Sequence, residues 1–461
     1  MKGVKVFTLI VFFAMIAVPL ALFNFKPDAV SDVDNRKLAP SPFSASADNS
    51  KRWTVRTEEF VNDRIGLRNQ MLQGYCMIND LAFHKMAHPS YSYGKNSYVF
   101  GAGVTTEPAN TEYITAFTDA LLQMQAYCKL RNVPFVVMLD PSKASVMTDK
   151  LPSSVNYNTE STDVLIAELD KKKINYVNNI EELTKLYKSG TQVFNKKYDA
   201  NHWNYTGAFY GTQNCLKNLQ KSLPKIHLNT ESEFNVTQKT QKYLPLSRFP
   251  VNESVPDYEL KDTITDITDK YKGLKIDEEY NAFKYFVNDK RKAEGCPRAL
   301  VFQGSYMNIY GDKFFKNSFS EYIMVHGYQN SLDLPYYFGM FKPDCVVFEV
   351  AEYTIKDAYY SQSKMTGLKF NRPLSSLKKV SVSQKSLPYD SIDIKKSGEI
   401  TTVEFKTEEK YEQVWVTFEG DYDMVKTATG YAAAVPTSEK DKDNVKMTIT
   451  TLKDAHFDVY S

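Results

Sequence analysis

The sequence predicts an α/β fold in which helices flank a mostly parallel sheet, with an apolar N-terminal segment ahead of it and a small antiparallel β module after it. Three features lead to this prediction. Near-continuous apolar runs alternate with helical segments, which is typical of parallel strands covered on both faces. An uncharged apolar run begins the chain. Past about residue 372, apolar and polar residues alternate with the period of two expected of half-buried strands.

The first 25 residues predict a membrane anchor. Lys2 and Lys5 precede an apolar run of eighteen residues, Val6–Phe23, that contains no charge. In a helix this run spans about 27 Å, close to the thickness of the bilayer hydrocarbon. It is longer than a usual signal-peptide core and no clear small-x-small cleavage site follows, so an uncleaved anchor over residues 1–25 is favoured and a removed signal peptide is the alternative. The lysines keep the N-terminus cytoplasmic, which places a Pro-, Ser- and Asp-rich stalk (26–50) and all later residues outside.

The main domain is predicted over residues 51–371. It begins with one or two amphipathic helices between Trp53 and Phe83, and another helix runs from about Glu112 to Leu130. Buried strands are predicted in VPFVVMLDP, RALVFQGSY, EYIMVHG and DCVVFEVAE. Residues from about 223 to 291 lack this alternation and are predicted to be an insertion. The segments ITTVEFKT, YEQVWVTFEG and NVKMTITTL predict a β-rich module over 372–461. Ligands bind at the carboxyl ends of parallel strands, and the polar residues at or just past those ends are Asp140, Ser305, His326 and Glu352.

Composition and charge narrow the classes of function. The 57 Lys and Arg residues against 55 Asp and Glu give a formal net charge of +2. No long basic block exists to neutralise phosphates, which argues against a nucleic-acid partner. The chain has 31 Tyr and 28 Phe; tyrosine-rich surfaces suit sugars, although core packing accounts for most such rings. The five cysteines are widely spaced and contain no C-x-x-C pair, so neither a disulfide framework nor a structural zinc site is predicted.

The stretch YDANHWN brings an acid and a base together. Asp199 precedes His202 by three residues, which puts a carboxylate within reach of one imidazole nitrogen and leaves the other free to take a proton. Such a pair needs a nucleophile, and VFQGSY supplies Ser305 after a strand and a glycine, where a strand-to-helix turn exposes a hydroxyl. The backbone N–H of Ser305 would also help to hold a developing oxyanion. This triad requires no metal ion and no soluble cofactor, so none is predicted.

Three further residues are candidate substrate contacts. Lys143 is a candidate partner for an anionic sugar, with a salt bridge or a solvated helix start as alternatives. Trp203 is a candidate sugar platform, although packing beneath the histidine loop is the favoured interpretation, and Tyr306 directly follows the candidate nucleophile. His326 is expected to be a structural histidine.

Seven motifs follow one another in a familiar order: VDNRKLAP, FVNDRIGLRN, YGKNSYVF, LDPSKASVM, DANHWNYTGAF, VFQGSY and FKPDCVVFEVAE. Over about residues 30 to 355 the chain thereby resembles the alginate O-acetyltransferase family of the AlgX/AlgJ type, whose core is SGNH hydrolase-like, together with the related DHHW-type proteins. The resemblance implies an SGNH hydrolase-like domain with Ser305 as nucleophile, His202 as general base and Asp199 as the acid that orients it.

The sequence departs from the family pattern at three positions. Ala200 stands where the family usually has its aspartate, and Asp199 restores the three-residue spacing of SGNH hydrolases at large. Gly304 stands where the family prefers Asp or Thr before the serine, and Tyr353 replaces an arginine after the last glutamate. These departures leave an inactive homologue as an alternative to the active enzyme.

Together the motifs and the apolar segment predict an extracytoplasmic O-acetyltransferase that moves an acetyl group through a serine ester onto a cell-surface or secreted polysaccharide. The resemblance implies a membrane-bound O-acyltransferase partner that supplies the acetyl group. A polysaccharide acetyl esterase with the same triad is one alternative, and a non-catalytic polysaccharide-binding or assembly subunit is another. The C-terminal module is expected either to grip glycan or to act as a scaffold.

Overall fold

The structure is a computed structural model that describes residues 2–26, 29–31, 36–48, 50–86, 91–101, 108–153, 155, 157–244, 249–274, 282–326, 328–378, 381–387, 389–440 and 446–461. The first residues of the VDNRKLAP motif, 33–35, lie outside this set.

The N-terminal region is helical. Its first helix, α1, is long and apolar enough to cross a membrane, a property that a signal sequence shares, so this segment is a signal sequence or an anchor. The elements of this region are α1 (Lys2–Ala21), β1 (Val30–Ser31), β2 (Arg36–Lys37), α2 (Trp53–Arg64), α3 (Arg68–Phe83), β3 (Tyr91–Tyr93) and β4 (Val99–Gly101).

Helices and strands alternate through the main part of the chain. The helices are α4 (Thr111–Lys129), α5 (Lys143–Val146), α6 (Glu160–Lys171), α7 (Asn179–Lys188), α8 (Tyr205–Gln220), α9 (Asp289–Ala293), α10 (Asp312–Lys316), α11 (Leu334–Phe341) and α12 (Gln362–Met365). The strands are β5 (Phe135–Asp140), β6 (Tyr176–Asn178), β7 (Phe234–Tyr243), β8 (Pro250–Leu260), β9 (Thr265–Asp266), β10 (Ala282–Val287), β11 (Arg298–Gln303), β12 (Glu321–His326) and β13 (Cys345–Ala351).

The central sheet is mixed and mostly parallel. Its order is β6-β5-β13-β11-β12-β10-β9. The five strands β6, β5, β13, β11 and β12 run parallel to one another. Strands β10 and β9 follow β12 in the sheet and form an antiparallel edge. Strands β5 and β13 are buried along their whole length, because helices cover both faces of the sheet. One face packs under α4, α6 and α11 and the other under α7, α8 and α10.

The segment predicted as an insertion contributes to this sheet. Strands β9 and β10 lie within residues 223–291 and form its antiparallel edge. The remainder of that interval holds a long hairpin, β7 and β8, whose strands pair with each other in a separate two-stranded sheet.

The C-terminal strands form a five-stranded sheet, β14-β22-β21-β17-β18, and a four-stranded sheet, β15-β16-β20-β19. All pairs are antiparallel except β14 with β22. An ion pair of 2.7 Å between Arg131 and Asp423 joins this part to the end of α4. The elements are β14 (Ser381–Lys385), β15 (Ile392–Ser397), β16 (Ile400–Lys406), β17 (Gln413–Thr417), β18 (Asp421–Asp423), β19 (Val425–Lys426), β20 (Gly430–Pro436), α13 (Thr437–Lys440), β21 (Thr448–Lys453) and β22 (His456–Tyr460).

All five cysteines are buried and free. Their packing as small apolar side chains agrees with the absence of a disulfide framework in the sequence pattern.

Candidate active site

Ser305 lies where strand β11 turns into a helical segment. The strand ends at Gln303, Gly304 makes the turn, and Ser305 is the first helical residue before the π-helical stretch Met307–Gly311. A Cβ at position 304 would lie 3.1 Å from the ring of Tyr328, so glycine suits the tight turn. Backbone N–H groups in the first turn of a helix have no acceptor within the helix, which leaves the N–H of Ser305 available to an oxyanion.

His202 connects the serine to an acid. Its Nε2 lies 2.8 Å from Ser305 Oγ, and its Nδ1 lies 2.9 Å from both carboxylate oxygens of Asp199. A carboxylate only accepts hydrogen bonds, so Nδ1 carries the proton and Nε2 is left to accept from the serine hydroxyl. The three predicted triad residues therefore form one hydrogen-bonded chain, in which His202 and Ser305 are 103 residues apart in sequence.

Asp199 is held in the charged form by its neighbours. Its backbone is left-handed, with φ of 60°, and this turn lets Oδ1 accept from the backbone N–H groups of Asn201 at 3.2 Å and His202 at 3.1 Å. The hydroxyl of Tyr310 donates to Oδ2 at 3.0 Å. Burial alone would raise the pKa of Asp199, but the positive charge and hydrogen bonds of His202 lower it below its ordinary value.

The same pair tunes the base. Burial alone would lower the pKa of His202, but the negative charge and hydrogen bond of Asp199 raise the pKa above its ordinary value of 6.5. A more basic imidazole is a better acceptor for the proton of a serine hydroxyl.

Two ionisable side chains, the partly buried Glu253 and the buried Lys143, hold the loop that carries Asp199. The carboxylate of Glu253, on strand β8, accepts from the backbone N–H groups of Lys196, Lys197 and Tyr198 at 2.6 to 2.7 Å. From the other side, the ammonium of Lys143 donates to the carbonyl oxygens of Val99 at 2.8 Å and Lys196 at 3.0 Å. The loop is thus fixed on both of its hydrogen-bonding edges.

This arrangement corrects the expectation for Lys143. Its side chain is only 1% exposed, and both carbonyl contacts lie inside the protein, so it neither faces a sugar nor forms the predicted salt bridge or solvated helix start. Burial lowers the pKa of Lys143 to about 7, which is the expected result for an ammonium held mainly by neutral carbonyl groups.

Trp203 and Tyr306 are also interior residues. Each is 0% exposed, and the indole N–H of Trp203 donates to the backbone carbonyl of Tyr306 at 3.3 Å. The hydroxyl of Tyr306 donates to the carbonyl oxygens of Pro141 at 2.8 Å and Asn201 at 2.6 Å. Neither ring offers a face to a ligand, so the substrate-contact expectation is corrected for both; they support the histidine loop from beneath.

Tyr353 is a site residue to which the sequence assigned no role. It follows strand β13 in a short 3₁₀ turn, and its hydroxyl lies 3.0 Å from Ser305 Oγ. Burial raises the pKa of Tyr353 far above its ordinary value, so the phenol stays protonated and can donate. The only signal in the sequence was its place just past a strand end where the resembling family has arginine.

A pair of acidic side chains, Asp140 and Glu349, lies beneath the serine. Glu349, on β13, accepts from the backbone N–H of Gly304, and Asp140, at the end of β5, accepts from the side-chain amide of Asn179 at 2.7 Å. Apart from the other carboxyl group of the pair, the remaining oxygens, Glu349 Oε1 and Asp140 Oδ2, have no donor among the described residues. The two carboxyl groups contact each other, and burial raises the pKa of both. They therefore share a proton.

The remaining residues at strand ends are structural. The carboxylate of Glu352 accepts from the backbone N–H of Ser142 and the hydroxyl of Thr162, both at 2.7 Å. His326 packs edge-on against Tyr328, with ring centroids 5.7 Å apart.

Comparison with known proteins adds a family. Residues 92–277 match the model described as ALGX, SGNH hydrolase-like domain, acetyltransferase AlgX. This range contains Asp199 and His202 and ends before Ser305. No curated protein matches the chain.

Three solved structures are among those to which the chain is similar. The O-acetyltransferase domain of Pseudomonas putida AlgJ is 17% identical, with a TM-score of 0.41, over 61% of this chain and 99% of that one. Bacillus cereus PatB1 with a sulfonyl adduct is 19% identical, with a TM-score of 0.42, over 59% and 97%. Pseudomonas aeruginosa AlgX is 12% identical, with a TM-score of 0.37, over 78% and 90%.

Proposed function

We propose that this chain, whose residues 92–277 match the SGNH hydrolase-like acetyltransferase model of AlgX, is an extracytoplasmic, membrane-tethered enzyme that transfers acetyl groups to hydroxyls of a cell-surface or secreted polysaccharide. The observation that carries the proposal is the hydrogen-bonded chain from Ser305 through His202 to Asp199. Without it, the family match would be compatible with an inactive homologue.

The first half-reaction loads the serine. Ser305 Oγ attacks the carbonyl carbon of an acetyl donor while His202 Nε2 takes the hydroxyl proton. The backbone N–H of Ser305 and the hydroxyl of Tyr353, which lies 3.0 Å from Ser305 Oγ, would donate to the oxyanion that forms. As the intermediate collapses, the bond to the donor breaks, His202 returns the proton to the leaving group, and acetyl-serine remains.

The second half-reaction transfers the acetyl group from Ser305 to a sugar. A sugar hydroxyl enters, His202 Nε2 removes its proton, and the sugar oxygen attacks the acetyl carbon. The ester bond to Ser305 breaks, the proton passes to Oγ, and the product is an O-acetylated sugar. Asp199 stays charged throughout and stabilises the imidazolium.

The donor side of the proposal includes a partner. A membrane-bound O-acyltransferase would pass the acetyl group across the bilayer to Ser305, and an apolar N-terminal helix that serves as an anchor would keep the two proteins together. The presence of a helix of that length and composition supports the tether.

The test is acetylation of the serine and its transfer. We expect the purified chain to form an acetyl-serine from p-nitrophenyl acetate, visible by intact-mass spectrometry and located at Ser305 by peptide mapping. The Ser305→Ala variant should lose it, and Ser222→Ala, a change at an exposed serine, should keep it. An oligosaccharide acceptor should speed loss of the acetyl group and receive it.

Other outcomes separate the alternatives. Loss of the acetyl group to water at a rate that no acceptor changes would identify an esterase. Polysaccharide acetylation in cells that survives Ser305→Ala but not deletion of the gene would identify a non-catalytic binding or assembly subunit.

A further inference from the structure

The long hairpin β7–β8 is tied to the loop that carries Asp199. Glu253 on β8 holds three backbone N–H groups of that loop. The face of the hairpin that turns to the loop therefore has a fixed position next to the candidate triad, although within the described part of the chain the two hairpin strands pair only with each other.

A pocket lies between this hairpin and the triad. Its volume is about 200 Å³, below the roughly 300–1,000 Å³ of sites that enclose a whole drug-sized ligand, so it suits a single ring. Three tyrosines form much of its wall: Tyr198 from the loop, Tyr205 from the first residue of α8 and Tyr310 from the π-helical segment. The rings of Tyr205 and Tyr310 meet edge to face, with centroids 5.0 Å apart.

The hairpin supplies the polar part of the wall. Lys239 and Gln241 alternate along β7, so their side chains share one face. Asp257 on β8 lines the same pocket. One ammonium, one amide and one carboxylate give this wall donors and acceptors without a net charge.

The pocket also contains an unpartnered acceptor. Asn195 lines it and is only 1% exposed. Its Oδ1 has no hydrogen-bond partner in the part of the chain that the structure describes. A buried acceptor without a donor costs about 1–3 kcal/mol, and a ligand hydroxyl at this point would satisfy it.

We propose that this pocket binds one sugar unit of the glycan acceptor, a unit other than the one that is acetylated; the proposal rests on the proposed function. A sugar ring presents C–H groups that pack on tyrosine faces and hydroxyls that bond to amide, ammonium and carboxylate groups. The balance of charge disfavours a phosphate or a strongly anionic ligand, and the polar wall disfavours an acyl chain.

Tyr310 connects the pocket to the candidate triad. One side of this residue lines the pocket, and its hydroxyl donates to Asp199. The pocket is therefore on the acid side of the triad, whereas Tyr353 and Ser305 Oγ lie on the far side of the imidazole. A glycan seated here would be held by one unit while another unit extends to the serine.

The test is glycan binding by the full chain in detergent, in the Ser305→Ala background, so that no acetyl transfer is needed. The probes are polysaccharide purified from the surface of the source cells, cellohexaose and chitohexaose. We expect at least one probe to bind, and the double variant Lys239→Ala/Gln241→Ala to weaken its Kd at least tenfold by titration calorimetry. Tyr205→Ala should weaken it by a similar factor.

The matched control is on the same strand. Gln238 and Thr240 are exposed and alternate with the pocket residues, so Gln238→Ala/Thr240→Ala should leave the Kd within twofold. Binding that the pocket variants leave unchanged, or no binding of any probe, would overturn the proposal. Failure of Ser305 to become acetylated, with pocket-dependent glycan binding intact, would instead overturn the proposed function and leave the binding site standing.

Discussion

Two buried residue pairs that each contain an aspartate lie under the same edge of the sheet, and the two aspartates differ in charge. Asp199 is paired with His202, whereas Asp140 is paired with Glu349. Both aspartates are deeply buried, at 6% and 0% exposure, yet the pKa of Asp199 is lowered and that of Asp140 is raised. The comparison teaches that the partner, and not burial, decides whether a buried carboxyl group is charged.

The two pairs also act on Ser305 by different routes. The first contacts the serine hydroxyl through the imidazole of His202, so it is suited to move a proton. The Asp140–Glu349 pair is connected to the serine through the backbone, by the hydrogen bond from Gly304 N–H to Glu349. It is therefore suited to hold the turn that presents the serine. We therefore expect changes in the first pair to reduce activity and changes in the second to reduce stability.

The largest expected effect is that of Asp199→Asn. The amide keeps the shape but cannot hold Nδ1 in the protonated tautomer, so we expect kcat/KM for p-nitrophenyl acetate to fall by about 10³–10⁴-fold. The matched change is Asp140→Asn, which removes a carboxyl group from the other pair without touching the imidazole and should cost less than tenfold. Equal losses in the two variants would break the distinction between the pairs.

The next effect concerns stability. Glu349→Ala leaves the N–H of Gly304 without its acceptor and Asp140 without the group that shares its proton, so we expect the free energy of unfolding to fall by about 3 kcal/mol. Glu349→Gln keeps an oxygen for Gly304 and gains an amide that can donate to Asp140, and its loss should be less than half as large. Denaturant unfolding of the full chain in detergent measures both. A glutamine variant as unstable as the alanine variant would show that the shared proton is not what holds the pair.

The sequence predicted those parts of the site that are local or that end a buried strand. Asp199 and His202 are three residues apart, and Ser305 follows the apolar run of β11, so spacing and strand pattern were enough to bring them together as candidates. The clamp by Glu253 depends on where the hairpin folds back, and the pairing of Asp140 with Glu349 depends on the order β5-β13 in the sheet. Neither is encoded in a short pattern.

The fold shows the same limit. The buried strands β5, β11, β12 and β13 are continuous apolar runs, and the sequence predicted each of them. Strand β10 was not predicted, because Lys284 is exposed in its middle and the strand lies at the antiparallel edge of the sheet. Lys143 and Trp203 were candidate ligand contacts because sequence gives residue type without burial; the structure places both in the interior, as the packing interpretation of Trp203 expected.

The smallest expected effect is the pH dependence of stability. The pKa of Glu349 is raised from 4.5 to about 7, so the proton on its pair contributes stability that is fully present below pH 4.5 and is lost as the pH rises to about 7. The pKa of Asp199 is lowered, so its contribution has the opposite sign: it is present above the ordinary value of 3.8 and is lost as the pH falls through the folded value. Between pH 5 and 7.5, therefore, only the Asp140–Glu349 pair of these two carboxyl systems titrates.

We expect Asp140→Asn, which offers an amide donor to the Glu349 carboxylate, to flatten the decline in unfolding free energy over that range by about 1 kcal/mol relative to the parent chain. Subtracting the two profiles cancels the contribution of His202, which both proteins share. A difference that stays constant with pH would mean that the pair holds no proton that folding controls, and the contrast between the two acidic pairs would then be one of position and not of charge.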